Sequence, residues 1–168
     1  MYFADDDMVA VHTLACAARE IYEQHCDRQG IDRMFEYIKT ANPGYDSKQL
    51  WNVLNGARNF FKHPGESLAD TIELRDQDNK CMLFCACHDC AVLCGPEQPL
   101  EVQVFNVWFL ATETPTNSGS SHDTQAAAEI QGGLDRHFAG LRDASPAEQK
   151  RRGMKLLGEA EHIMTGGR

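Results

Sequence analysis

The sequence predicts an all-α fold, a bundle of about four main helices followed by a C-terminal helical pair. Apolar residues recur at helical spacing in five or six segments, whereas only the stretch 70–74 alternates as a strand would. Capping residues precede these segments, and glycine or proline follows several of them. With 42% hydrophobic residues in a chain of 168, the protein can bury a core without disulfides or a metal.

Helix boundaries follow from caps and helix breakers. Asp5-Asp6-Asp7 provides an N-cap for the first helix, and Asp46 or Ser47 caps the second. The second helix must end before Pro64, because the residue before a proline is pushed out of the α region. Gly95 and the proline after it stop the third helix. The four main helices are thus predicted at residues 8–26, 47–62, 79–94 and 100–112, with a short helical piece at 31–38.

Composition along the chain suggests three regions. Residues 1–113 are predicted to form the core bundle, and the Ser-, Thr-, Gly- and Pro-rich stretch 114–123 a linker. Residues 124–168 are predicted to form a C-terminal helical hairpin, whose last helix opens with a Ser145–Glu148 capping box. The apolar side of the first helix is predicted to comprise Val11, Leu14, Ala15, Ala18, Ile21 and Tyr22. That of the last is predicted to comprise Met154, Leu156, Leu157 and Ile163.

The charge and the apolar runs limit the function classes. A net charge of −9 argues against extended, non-specific nucleic-acid binding, because acidic surfaces repel phosphates. It leaves room for a small basic pocket. No apolar run approaches the roughly 18–20 residues that span a bilayer, and the N-terminus is acidic where a signal peptide would be basic. We therefore expect a cytoplasmic protein with no membrane partner.

The sharpest motif is Arg58-Asn59-Phe60-Phe61-Lys62-His63 at the end of the second helix. Arginine supplies a permanent, fork-shaped cation that suits phosphate, and histidine exchanges protons near neutral pH. Asparagine can orient a phosphate oxygen or a water molecule. These groups are the parts that metal-independent RNA cleavage needs, so no cofactor is expected. On a straight helix, however, residues five apart point about 140° away from each other, and a two-fold dimer would bring two motifs together.

This motif resembles the Arg-x4-6-His signature of HEPN-domain proteins, in which a polar residue often follows the arginine. The resemblance implies that residues 1–113 form a small helical bundle that commonly dimerises. It also implies a metal-independent RNase of a toxin–antitoxin, defence or RNA-processing system, or a catalytically degenerate relative. Arg58, Asn59 and His63 would then be the catalytic group, and Lys62 would help to bind the RNA substrate.

Two plainer interpretations stay open. Arg58 and Lys62, spaced i and i+4, would form a solvated helix face, with His63 as a helix C-cap. The protein would then be a non-enzymatic interaction module that binds a protein partner through the C-terminal helices at 124–168.

Five of the seven cysteines crowd into the third helix, which suggests a Cys/His metal-binding protein as a third alternative. On a helix, Cys81, Cys85 and His88 share one stripe, and they are the fallback ligands for a metal. Cys87, Cys90 and Cys94 fall on nearly the opposite stripe, so one ion cannot use both sets. The helix is apolar nearly all round, which favours buried, unligated and unbridged thiols instead.

Overall fold

The computed structural model describes residues 2–63, 71–113, 132–133 and 138–166. Of these residues 78% are helical, and no strand occurs among them, which confirms the predicted all-α class. The stretch 71–75 carries no regular structure. No helix in the described parts of the chain is both long and apolar enough to cross a membrane.

The α-helices are α1 (Met8–Gln29), α2 (Met34–Ala41), α3 (Ser47–Lys62), α4 (Asp76–Cys94), α5 (Leu100–Glu113) and α6 (Pro146–Met164). Short 3-10 turns lie at Tyr2–Ala4 and Gly95–Glu97. Asp7 caps α1 by accepting the N–H of Ala10 at 2.7 Å. Asp46 caps α3 in a reciprocal capping box with Gln49. Gly30 ends α1 in the left-handed conformation, at φ 67°.

The chain divides into two units, Met1–Gln98 and Pro99–Arg168. In the first unit α1 packs mainly against α4, while α3 packs against α1 and α2 against α4. In the second unit α5 packs against α6. The predicted core bundle at 1–113 includes α5, which this division places in the second unit. The proposed linker at 114–123 lies outside the described residues, and so does most of the first helix of the expected hairpin.

Trp108 explains why α5 pairs with α6. Its side chain is fully buried, and its Nε1 donates to the backbone oxygen of Gln149 on α6 at 2.8 Å. The side-chain amide of Gln149 donates in turn to the carbonyl oxygens of Leu141 and Arg142, each at 3.1 Å. This unit therefore has a core of its own, built around one tryptophan and one glutamine.

The apolar side predicted for α6 is not a single buried face. Leu156 and Leu157 are half-buried, but Met154 is 40% exposed and Ile163 77%. The residues of α6 that are buried are Gln149, Lys150 and Gly153.

The buried face of α1 also differs from the predicted apolar side. Leu14 and Ile21 are more than half exposed, so the prediction is wrong for these two residues. The buried face instead follows a heptad-like spacing that mixes apolar and polar side chains. It consists of Val11, His12, Ala15, Cys16, Arg19, Glu23 and Cys26.

Arg19 on α1 is the centre of a buried polar network that fixes α3 in place. Its guanidinium donates to Glu23 Oε1 at 3.1 Å and to Asn55 Oδ1 at 2.5 Å. It also lies 5.3 Å from the ring centroid of Trp51. Asn55 is completely buried and donates to the backbone oxygen of Trp51 at 2.9 Å. Because buried charges are tolerated only when they are paired and hydrogen-bonded, this network locks α3 onto α1.

Candidate anion site at the end of helix α3

The six-residue motif occupies the last turns of α3. Residues 58–62 remain helical, and His63 is the C-cap, with φ −132° and ψ 71°. Its backbone N–H still donates to the carbonyl oxygen of Asn59 at 2.8 Å. The interpretation of the motif as a helix face followed by a C-cap predicted this position for His63. The backbone leaves the helix only at His63, so the helical rotation between Arg58 and Lys62 is preserved.

Glu20 on α1 joins the two cations of the motif. The guanidinium of Arg58 forms an ion pair with Oε1 of Glu20, and Lys62 Nζ lies 3.9 Å from Oε2 of the same carboxylate. The side chains of Arg58 and Glu20 are only 18% and 29% exposed, whereas Lys62 is 54% exposed. The arginine is therefore not part of a freely solvated helix face.

The packing of α3 on α1 explains this pairing. Asn55, Arg58 and Lys62 are spaced i, i+3 and i+7, so they share one face of α3. Asn55 binds Arg19, and Glu20 is the next residue along α1. Sequence reasoning missed Glu20, because its role becomes visible only when the Arg19–Asn55 contact has set the two helices side by side.

The remaining polar groups of the motif face solvent. Asn59 and His63 are exposed. Within the described residues, the side chain of His63 forms no hydrogen bond or ion pair, and none joins it to Arg58. The structure thus brings Arg58 and Lys62 together at Glu20 and leaves Asn59 and His63 available at the surface.

The cations at this end of α3 also act on the Cys16 thiol of α1. Burial raises the pKa of the Cys16 thiol, and the charges of Arg19, Arg58 and Lys62 oppose that shift. Three cations therefore act on one buried sulfur in α1. Among the described residues, Arg58 and Lys62 share one carboxylate partner, Glu20, in a protein of net charge −9. Two cations beside one carboxylate form a candidate anion site.

The cysteine-rich helix α4 presents its thiols on different sides. Cys85 and Cys90 are buried and Cys87 is half-buried. Cys81 and Cys94 are exposed, so the expectation of uniformly buried thiols is wrong for these two. All seven cysteines are free thiols.

The fallback metal ligands on α4 are occupied by other contacts. Cys81 accepts a hydrogen bond from Gln77 at 3.5 Å, and the His88 ring donates to Asp89 Oδ1 at 3.1 Å. Burial raises the pKa of Cys85 to about 12, which disfavours the thiolate that a metal would bind. Across the described ranges, no three His, Cys, Asp or Glu side chains are grouped so that they could hold a metal ion.

Comparison with known proteins identifies no relative. No protein-family model matches this chain, and searches of curated proteins and of solved structures found no match. The resemblance to HEPN-domain proteins therefore stays a prediction from the motif.

Proposed function

We propose that the protein is a HEPN-like, metal-independent endoribonuclease that acts as a homodimer, with its active site at the C-terminal end of α3. The observation that carries the proposal is the pairing of Arg58 and Lys62 with the two oxygens of Glu20. A carboxylate and a phosphodiester both offer two oxygens that share a negative charge, and a guanidinium fork suits either group. In this proposal an RNA phosphate replaces the Glu20 carboxylate beside Arg58 and Lys62.

Each motif residue has a role in this mechanism. His63 acts as the general base that removes the ribose 2′-proton, or as the general acid that protonates the leaving 5′-oxygen. Arg58 stabilises the charge that develops on the pentacoordinate phosphate, and Asn59 orients one of its oxygens. Lys62 binds the RNA backbone. The products are a 2′,3′-cyclic phosphate and a 5′-hydroxyl, so no metal or water molecule enters the cleavage step.

Helix geometry supports the proposed dimer. Because α3 stays helical through Lys62, Arg58 and His63 point in directions about 140° apart on one chain. A two-fold axis beside this helix end would place His63 of one copy near Arg58 of the other. Mixing Arg58→Ala with His63→Ala protein should then restore part of the activity, since a mixed dimer holds one intact arginine and one intact histidine.

The experiment that tests the proposal is RNA cleavage in the presence of EDTA. Wild type should cut a panel of tRNAs and mRNAs. His63→Ala should be slower by ~10²–10⁴-fold, the usual loss for an acid–base group. Arg58→Ala should be slower by ~10²–10³-fold, the usual loss for a group that stabilises transition-state charge. His25→Ala, which changes an exposed histidine on α1, is the matched control and should retain full activity. Intact RNA with wild type, or equal rates for wild type and His63→Ala, would refute the nuclease.

A second candidate function is the non-enzymatic interaction module. It is favoured by Ile163 and Met164 at the end of α6, which are 77% and 74% exposed. Adjacent exposed apolar side chains are typical of surfaces that a partner covers. Two experiments separate the candidates. An interaction module should leave RNA intact. It should lose its partner with Ile163→Ser and Met164→Ser, but not with His63→Ala.

A further inference from the structure

Two cysteines lie in contact at the C-terminal end of α4. The Sγ atoms of Cys90 and Cys94 are 4.0 Å apart, on successive turns of the helix. Cys90 is 1% exposed, whereas Cys94 is exposed and is the last residue of α4. One cysteine is thus exposed, and the sulfur of the buried one lies within contact distance of it.

We propose that Cys90 and Cys94 form a reversible intramolecular disulfide, with a peroxide as the oxidant. The exposed Cys94 thiol reacts first: its sulfur attacks the O–O bond of hydrogen peroxide, which gives the sulfenic acid and one water molecule. The Cys90 sulfur then attacks the Cys94 sulfur, the S–O bond breaks, and a second water molecule leaves. Two thiols are oxidised by two electrons in total, and the peroxide is reduced to two molecules of water.

The end of the helix supplies the movement that closure requires. Residues four apart on a helix have Cα atoms about 6 Å apart, within the range that a disulfide spans. Their Cβ atoms are ~5–6 Å apart and must approach to ~3.5–4.5 Å, so the last turn has to loosen. At Cys94 the helix already ends, and Gly95 follows at φ 55°. Closure therefore strains one terminal turn, and strained disulfides are the readily reduced ones.

Tyr22 on α1 supports the chemistry of the buried partner. A hydrogen bond with the Cys90 sulfur, together with burial, raises the pKa of the Tyr22 hydroxyl to about 12. Burial raises the pKa of Cys90, and the bond from Tyr22 acts in the opposite direction. The tyrosine hydroxyl therefore favours negative charge on Cys90, both when this sulfur attacks and when the disulfide is reduced.

The same helix contains an internal control, Cys81 and Cys85. This pair has the same spacing, with one exposed and one buried cysteine. It lies inside α4, however, where closure would distort turns that continue on both sides. Both pairs have one exposed cysteine, but only Cys94 stands at a helix end, so we expect only the Cys90–Cys94 pair to close.

The test is oxidation of the full-length protein with hydrogen peroxide, followed by alkylation of the free thiols in denaturant and mass spectrometry. We expect the loss of two hydrogens, assigned by peptide fragmentation to Cys90 and Cys94 and reversed by dithiothreitol. Cys94→Ser should abolish this bridge, and Cys81→Ser, the matched control at an exposed cysteine of the same helix, should leave it unchanged. Tyr22→Phe should slow its formation without preventing it.

Three outcomes would overturn the inference. A bridge between Cys81 and Cys85 that forms as fast would show that the helix end gives no advantage. Oxidation of Cys94 to sulfinic acid, while Cys90 remains a free thiol that the reagent alkylates, would show that the Cys90 sulfur does not attack Cys94. A disulfide that joins two chains on a non-reducing gel, and that Cys94→Ser removes, would show an intermolecular bond instead.

Discussion

Arg58 on α3 and Glu20 on α1 form an ion pair that links the predicted catalytic motif to a residue of another helix. The pair is partly shielded from solvent, and Lys62 lies within 3.9 Å of the same carboxylate. Under the proposed function, RNA must displace Glu20 before its phosphate can reach Arg58. Glu20 therefore competes with the substrate in the free protein.

Glu20→Gln should tighten RNA binding, because it removes the negative charge that competes with phosphate. One charge at contact distance in a solvated site is worth ~1 kcal/mol, or a factor of about five in Kd. The measurement is fluorescence anisotropy with a short labelled RNA.

The matched control is Glu36→Gln, which removes a carboxylate that pairs with Lys39 at 2.8 Å on α2. It should leave the affinity unchanged. Both variants should lose no more than about 1 kcal/mol of unfolding free energy, as is usual for ion pairs near the surface. Weaker RNA binding by Glu20→Gln would mean that Glu20 holds Arg58 in place rather than competing with RNA.

Asn55→Ala should destabilise the first unit by ~1–3 kcal/mol. The substitution removes the acceptor of the Arg19 bond at 2.5 Å and leaves a buried guanidinium group without that partner. Urea unfolding followed by circular dichroism measures the change. Asn52→Ala, at an exposed position of the same helix, should stay within ~0.5 kcal/mol of wild type. Equal stability of the two variants would contradict the role assigned to the buried network.

His12 should make stability depend on pH. Burial lowers the pKa of His12 below its ordinary value of 6.5. A hydrogen bond to Asn79 and the charge of Asp78 raise this pKa, but their effect is smaller than that of burial. Its Nδ1 lies 3.0 Å from Asn79 Oδ1, and its buried Nε2 has no hydrogen-bond partner in the described part of the chain. Protonation would therefore bury an unpaired N–H.

Below pH 6.5 the unfolded chain therefore binds more protons at His12 than the folded chain does. The contribution of His12 to the free energy of unfolding is complete above pH 6.5 and is lost as the pH falls below it. The slope is at most about 1.4 kcal/mol per pH unit. The free energy of unfolding of wild type should decrease more between pH 7.5 and 5 than that of His12→Gln. His25→Gln, which changes an exposed histidine of α1, should keep the wild-type slope. Parallel curves for wild type and His12→Gln would contradict the assignment.

Gln149→Ala should destabilise the second unit by ~1–3 kcal/mol. The variant leaves two carbonyl oxygens, of Leu141 and Arg142, without the amide that binds them at 3.1 Å. The fluorescence of Trp108 follows the unfolding of this unit, because its indole N–H donates to the backbone oxygen of the same glutamine. Tryptophan fluorescence in a Trp51→Phe background should show a lower urea midpoint. Gln24→Ala, at an exposed glutamine of α1, should leave this midpoint unchanged.

Several helix ends could be predicted because they depend on local chemistry, although α1 runs to Gln29 rather than residue 26 and α4 begins at Asp76 rather than residue 79. Asp7, Asp46 and Ser145 cap helices near the expected positions, and Gly30 and Gly95 end two of them. Each of these signals acts within a few residues of the chain. The capping box at Ser145 forms only in part: Ser145 accepts the Glu148 N–H at 3.3 Å, while the Glu148 carboxylate binds Arg151 and Arg152.

The buried face of α1 could not be predicted from hydrophobicity. Leu14 and Ile21 are exposed although they are apolar, whereas Arg19 and Glu23 are buried together with apolar residues such as Val11 and Ala15. An arginine is buried only when partners satisfy it, and one partner here, Asn55, lies 36 residues away in the sequence. The same long-range contact is what places Glu20 beside Arg58. The motif could therefore be found in the sequence, but its acidic partner could not.

The most direct test of the central claim is the chemistry of the RNA ends that the purified protein produces in EDTA. The proposed nuclease should leave 2′,3′-cyclic phosphate and 5′-hydroxyl ends with wild type and with His25→Ala. These products should be lost with His63→Ala and Arg58→Ala. Circular dichroism should confirm that the two motif variants remain folded, as expected for an exposed C-cap and a partly exposed ion pair. RNA that stays intact with wild type, or products that persist in His63→Ala, would contradict it.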